Sequence, residues 1–274
     1  MKRSQKVLLG LGAGYLVLLL IFAIAVPIVI DPVKLGPVFQ PPSAQHWLGT
    51  DQNGRDVMAR LAAGALSSLK IGITVELISV TVGVIVAVLG IYAPKWIGYP
   101  LMRLTDAMFA FPDILLAILL IGILQGVTIP LFESGVLPVI VALSITAWPG
   151  VVRLLRGLVA TLRDREFVIA AQASGASTTY LVLKHILPQL GGLLLAVSMV
   201  DLAGVILAES TLSFIGIGVL PPNPSWGNMI DQARQDMNAH PMHLLWPCLI
   251  LSLTIFSLNF VGDGLRTLTD PKRG

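Results

Sequence analysis

Acidic side chains within apolar stretches are the residues of this sequence whose chemistry most needs an explanation. They are Glu76, Asp106, Asp113, Asp201 and Glu209. An ionised carboxylate near the centre of a bilayer costs about 2.5–3.5 kcal/mol on insertion scales, so it normally faces a partner or an aqueous cavity. Counting the helical rise along each predicted helix places Asp113 and Asp201 near mid-depth and the other three closer to an interface, where water is available. Asp113 and Asp201 are therefore the candidates for a buried role.

Two roles fit Asp113 and Asp201. The first is structural: the carboxyl group hydrogen-bonds a neighbouring helix or is kept protonated by burial. The second is functional: the carboxylate lines an aqueous cavity and attracts a cationic group. A catalytic acid pair fits poorly, because Asp106 and Asp113 would lie about 10 Å apart along one helix. His240 and His243 lack further ligands at chelating spacing. We therefore predict no catalytic, cofactor-binding or metal-binding residue in this chain.

The elements that position these residues must be membrane-spanning helices. Hydrophobic residues make up 55% of the 274 and charged residues only 12%, about half the roughly 25% of a typical globular protein. The mean hydropathy is +0.84. This composition indicates an all-α, polytopic protein in a lipid bilayer. The net charge of +3 is spread too thinly to indicate a nucleic-acid partner.

Charge-poor windows long enough to cross a bilayer predict six transmembrane helices. They fall at residues 8–30, 70–95, 101–125, 134–152, 186–217 and 243–261. The first window is longer than the apolar region of a cleavable signal, so we expect it to be a retained span. Most of the 18 lysines and arginines fall in segments that are cytoplasmic if both termini are cytoplasmic, which is the orientation we predict.

Three segments outside the spans are long enough to carry function: residues 31–70, residues 153–188 and the turn-rich outer loop 219–242. Residues 31–70 form a predicted external loop that is rich in proline and turn formers. Its apolar residues after Asp56 recur at helical spacing, which predicts either an amphipathic helix on the membrane surface or an outward extension of the second span.

Residues 153–188 form a predicted cytoplasmic loop with a helix-turn-helix at its centre. Phe167, Ala170, Ala171 and Ser174 share one helical face. Gly175 can adopt the left-handed conformation that ends a helix, and Ser177 or Thr178 can cap a second helix that ends near residues 187–188. A small-residue face of this kind lets another protein approach closely, which favours a docking element over a loop that only connects two spans.

Several separated motifs resemble the inner-membrane permease subunits of ATP-binding cassette importers, in the dipeptide/oligopeptide/nickel group. Residues 46–56 resemble that group's G-T-D-x-x-G-R-D stretch, and residues 106–118, with Phe111-Pro112, resemble its third-span signature. Residues 209–227 are similar to its L-S-F-L-G-L-G and P-P-x-P-S-W-G stretches, with Ile215 and Ile217 replacing two leucines. Residues 262–266 and 270–271 resemble its closing G-D-G-L-R and D-P.

The cytoplasmic loop resembles the family's E-A-A-x-x-x-G motif, through which such permeases dock on ATPase subunits. Ala170, Ala171 and Gly175 match, whereas Ile169 stands at the glutamate position and Glu166 lies about one helical turn earlier. The resemblance therefore implies that Glu166, Phe167, Ala170, Ala171 and Gly175 form the ATPase-docking site.

The resemblance implies a single permease domain over residues 1–274, in the inner membrane of a prokaryote, that is a pore-forming subunit and no enzyme. Its implied partners are a second, homologous permease, two cytoplasmic ATPases that bind ATP and Mg, and an external substrate-binding protein. The sequence contains no G-x-x-x-x-G-K-[ST] phosphate loop, so ATP hydrolysis is expected in the partner chains.

Asp113 and Asp201 would line the translocation path of such a permease. Di- or oligopeptides are the expected substrates. Nickel, metal chelates, glutathione and antimicrobial peptides stay open as alternatives, and an ion-coupled secondary transporter is the rival mechanism.

Overall fold

The chain folds into a bundle of α-helices. A computed structural model describes residues 3–124, 126 and 135–269, and no named β-strand occurs in those ranges. The helices are α1 (Arg3–Val29), α2 (Val57–Tyr92), α3 (Lys95–Met108), α4 (Asp113–Leu124), α5 (Val136–Arg163), α6 (Glu166–Ala173), α7 (Thr178–Leu181), α8 (Leu187–Phe214), α9 (Trp226–Gln235) and α10 (Pro241–Thr269). A π-helical turn, Val182–Ile186, joins α7 to α8 without interruption. The predicted all-α class is confirmed.

The described residues supply five candidate membrane crossings, or six if the bent pair α3 and α4 forms one broken span. Among the described residues, α1, α2, α5, the run from α7 through α8, and α10 are each long and apolar enough to cross a membrane. Helices α3 and α4 pass the same test together but meet at an angle of 97°. An unbroken third span over 101–125 is therefore wrong. Pro112 accounts for the break, since it lacks an N–H donor and disfavours helical geometry at Phe111.

Helix α2 is the longest helix and begins well before the predicted second span. The Asp56 carboxylate caps it by accepting a hydrogen bond of 2.8 Å from the Ala59 N–H, and the helix then continues without a break to Tyr92. Of the two alternatives for the residues after Asp56, the outward extension is therefore observed, and a separate interfacial helix is not. The extension is stabilised by burial of Leu61 and Ala65, which pack beside Met229 and Trp226.

Helix α2 also lies at the centre of the bundle, against α1, α5 and α8. Small residues make this contact close. A Cβ on Gly83 would lie 2.5 Å from Val151 Cγ1 of α5, so a larger side chain there would force α2 and α5 apart. Apolar residues of α2, α4, α5 and α8, including Val75, Ile121 and Val139, form one continuous core around the site described below.

The segment before α2 is tied to α9 by buried charges. The Asp51 carboxylate accepts hydrogen bonds from Arg55 Nε at 2.8 Å, and Arg60 Nε lies 3.4 Å from the same oxygen. Arg55 also donates to Gln232 of α9 at 2.9 Å. These contacts hold residues 31–56 and α9 together at one end of the bundle. Helix α6 follows the far end of α5, at the other end of the bundle.

Candidate functional site

A cavity of about 370 Å³ lies between α2, α4, α5 and α8. Three carboxyl groups line it, and they come from three different helices: Glu76 from α2, Asp113 from α4 and Asp201 from α8. The rest of the lining consists of apolar, small and hydroxyl side chains, including Ser79, Thr146 and Gly204. The structure thus brings the two acidic residues singled out in the sequence into one cavity and adds a third.

Asp113 reaches this cavity because the third span is broken. It lies in the first turn of α4, directly after the bend, and its side chain is exposed. The prediction that Asp106 and Asp113 share one face of a continuous helix is therefore wrong. Asp106 belongs to α3 and lines a different pocket beside Arg153 and Arg156.

Glu76 is the residue that sequence reasoning misplaced. The prediction put it nearer to water at an interface, but the residue is only 6% exposed and lines the same cavity as Asp201. The error came from starting the second helix near Lys70. Had the N-cap at Asp56 been taken as the start, Glu76 would have fallen near the middle of a 36-residue helix.

The buried end of the Glu76 carboxylate lacks a partner. Its Oε1 accepts no hydrogen bond from the described residues, and neither does the Oγ of Ser79, one turn later on the same face of α2. Unpaired buried oxygens are costly and rare in folded proteins. Glu76 and Ser79 thus each carry, beside the cavity, an oxygen that the described residues leave unpaired, while Ser198 is close enough to hydrogen-bond the Glu76 carboxylate.

Glu209 lies in the last two turns of α8, where its carboxylate is shielded from solvent. It is fully buried and surrounded by serine hydroxyls. Ser68 of α2 donates to its Oε2 at 2.9 Å, and Ser213 donates to its Oε1 at 2.7 Å. Ser213 in turn accepts a hydrogen bond of 3.1 Å from the backbone N–H of Val219. Glu209 therefore links α2 to the end of α8 and to the segment that follows.

His240 and His243 take part in aromatic stacking. The ring of Phe39 stacks on that of His240 with centroids 4.1 Å apart, and the two histidine rings are 5.4 Å apart. In the described ranges no group of three or more His, Cys, Asp or Glu side chains is placed to hold a metal ion.

The predicted helix-turn-helix is present at the other end of the bundle. Helix α6 is anchored by the buried Val168, whereas Glu166, Phe167 and Ala170 are exposed, and Ala171 is partly buried. Gly175 has a φ of +84°, in the left-handed region, and no heavy atom lies within 4 Å of the position a Cβ would occupy. Ser177 caps the next helix by accepting a hydrogen bond from the Tyr180 N–H.

The second helix of this pair does not end near residues 187–188, as the sequence predicted. It widens into the π-helical turn and continues as α8. Pro188 explains the widening, because its ring would clash with the carbonyl of the residue four positions earlier. The helix-turn-helix is thus rigidly connected to the span that carries Asp201.

Comparison with known proteins identifies the family. Residues 79–274 match the family described as "Binding-protein-dependent transport system inner membrane component". The chain belongs to this family. It is 37% identical over 231 residues to proteins named glutathione transport system permease protein GsiD, from Shigella dysenteriae serotype 1 and from Escherichia coli strain UTI89. The match covers 84% of this permease and 74% of each relative.

The fold agrees with that assignment. The permease superposes on a chain of the MetNI methionine ABC transporter, solved in inward-facing conformations, with a TM-score of 0.64. The alignment covers 78% of the permease and 97% of the other chain at 18% identity, so this likeness concerns the fold. The chain is a multi-pass inner-membrane permease subunit of an ABC importer and no enzyme. Membership implies ATPase subunits and a binding protein as partners.

Proposed function

We propose that this permease carries di- or oligopeptides through the cavity between α2, α4, α5 and α8, with Asp113 and Asp201 lining the path. The observation that carries the proposal is the polar cavity itself, which places carboxyl groups from separate helices inside an otherwise apolar bundle. Such groups in spanning helices generally mark substrate pathways. The relatives named for glutathione, itself a small peptide, support a peptide substrate.

Residues 31–56 and α9 face the exterior in this proposal, and both termini are cytoplasmic. An external binding protein delivers the peptide to the end of the bundle that carries α9. A second, homologous permease completes the pore, as the resemblance implies. The single permease domain spans residues 1–274.

Two ATPase subunits bind ATP and Mg and dock on the exposed turn at the cytoplasmic end. Glu166, Phe167, Ala170, Ala171 and Gly175 form this docking site. Their exposure supports the role, because a partner can reach them without unfolding α6. The continuous helix from α7 into α8 offers a mechanical link from the docking site to Asp201.

The rival mechanism is transport driven by an ion gradient, with Asp113 or Asp201 as the coupling acid. Proteoliposomes that contain the assembled complex and the binding protein separate the two. We expect peptide uptake to require ATP and to survive collapse of the membrane potential and the proton gradient. Uptake without ATP that stops with an ionophore would overturn the proposal.

A further inference from the structure

We infer that Glu76, Ser79 and Asp201 form a recognition site for the primary ammonium group of a peptide substrate. The inference rests on the proposed function, because it assigns the ligand chemistry of the same cavity. Glu76 is the central residue of this site, although neither its position in the sequence nor the family motifs indicated that it lines the translocation path.

The unpaired oxygens are acceptors, which is the chemistry that an ammonium group needs. An ammonium group has three N–H donors and no acceptor. Glu76 Oε1 and Ser79 Oγ are both buried and without a hydrogen-bond partner among the described residues, and they belong to residues that line the cavity. The Asp201 carboxyl group approaches from α8, on another side of the same cavity. Once the Glu76 and Ser79 side chains turn toward the open volume, a compact cation there would pair with oxygens that otherwise remain unpaired.

The charge balance of the cavity also favours a cationic ligand. Three acidic side chains line it, and no Lys, Arg or His among the described residues does so. No positive side chain in the cavity lining offsets the repulsion between Glu76 and Asp201, although Ser198 contributes a hydrogen bond to the Glu76 carboxylate. A positively charged group in the cavity would relieve this repulsion and at the same time replace the hydrogen bonds that the carboxylates lose on leaving water.

A bare metal ion fits the geometry less well than an ammonium group. Metal ions need several ligands converging at short, fixed distances. Glu76, Asp113 and Asp201 line one cavity, yet they do not form a group placed to hold a metal ion. The volume of about 370 Å³ lies in the range of small-molecule pockets and leaves room for the terminal residue of a peptide.

Direct binding to the assembled complex tests this inference without the selectivity of the binding protein. The complex of permease and ATPase subunits, reconstituted in nanodiscs, is titrated calorimetrically with trialanine, with N-acetyl-trialanine, and with an N-acetylated tripeptide that carries a lysine. The third peptide distinguishes a terminal ammonium group from a side-chain one. The variants are Glu76→Gln, which keeps the shape of the side chain, and Ser79→Ala, with Asp106→Asn as a matched control outside the cavity.

We expect the unmodified complex to bind trialanine, and to bind N-acetyl-trialanine about tenfold or more weakly, because acetylation removes the charge-assisted hydrogen bonds. Glu76→Gln should weaken trialanine binding by a similar factor and leave N-acetyl-trialanine binding unchanged. Ser79→Ala should have a smaller effect in the same direction, and Asp106→Asn none. If Glu76→Gln does not assemble, Ser79→Ala carries the same comparison.

Equal binding of trialanine and N-acetyl-trialanine would overturn the inference, as would no measurable binding to the unmodified complex. So would a loss in Glu76→Gln that is the same for both peptides, which would indicate a structural role. ATP-dependent uptake measured in parallel separates this failure from that of the proposed function. If uptake is present but does not depend on the amino group, only the inference fails, and if no peptide is taken up, the proposed function fails.

Discussion

Replacing Glu209 with alanine should destabilise the permease more than removal of an exposed acidic residue. The carboxylate is fully buried and accepts hydrogen bonds of 2.9 Å from Ser68 and 2.7 Å from Ser213. Both hydroxyls lie inside the protein and donate to no other acceptor among the described residues. Because Ser68 belongs to α2 and Ser213 to α8, the substitution removes a polar link between two central spans.

The size of the effect follows from the buried donors that lose their acceptor. A buried polar group left unpaired costs roughly 1–3 kcal/mol, so two such groups cost about 2–6 kcal/mol in total. For a chain of this size, 1 kcal/mol corresponds to a shift in Tm of about 2–4 °C. We therefore expect Glu209→Ala to lower the Tm of the purified complex by roughly 5–20 °C. Glu209→Gln keeps one acceptor oxygen and should lose about half as much or less.

Thermal unfolding of the detergent-solubilised complex, followed by intrinsic fluorescence, measures this difference. Asp263→Ala is the control, because Asp263 is also an acidic residue on a helix but is exposed, and surface substitutions usually change stability by less than about 0.5 kcal/mol. Equal Tm values for Glu209→Ala and Asp263→Ala would refute the reasoning. A larger loss for Glu209→Gln than for Glu209→Ala would also refute it, because the amide retains the acceptor that alanine lacks.

Three further predictions concern transport, coupling and orientation. Asp201→Asn should reduce peptide uptake while assembly and basal ATPase activity remain intact, with Asp201→Glu milder; normal uptake by the Asn variant would leave only a packing role for Asp201. Gly175→Leu should insert and assemble but uncouple ATP hydrolysis from uptake, because a φ of +84° strains any side chain, and normal coupled transport would contradict the docking assignment. Reporter fusions should report cytoplasm at Lys95, Arg163 and Gly274 and the exterior at Gln45, Glu133 and Asp231, where Glu133 and Gly274 lie outside the described residues; one fusion on the wrong side would break the predicted orientation.

Local sequence signals predicted much of the architecture. The apolar windows identified the order of the spans, and short-range caps proved reliable: Asp56 begins α2, Ser177 begins α7 and Gly175 provides the turn between α6 and α7. Each of these features depends on residues within a few positions of one another. The family motifs added the importer permease assignment, which the comparisons confirmed.

The end points of helices were predicted less well. The second span was started too late because the turns after Asp56 also contain polar residues, such as Arg60, that a hydropathy window excludes. Arg60 is nevertheless buried, because Asp51 neutralises its charge and Gln232 accepts a hydrogen bond from it. Contacts with distant residues thus allow Arg60 to be buried in the helix, and a hydropathy window does not detect such contacts.

By itself the sequence determined the membrane class, the six apolar segments and the capped turns, because hydrophobicity and backbone preference are properties of neighbouring residues. Only the tertiary structure decided that α3 and α4 meet at 97°, that Glu76, Asp113 and Asp201 share one cavity, and that Glu209 is enclosed by serines. The environment of a carboxylate depends on which helices pack around it. That packing is set by close contacts between segments more than a hundred residues apart, and no local pattern records them.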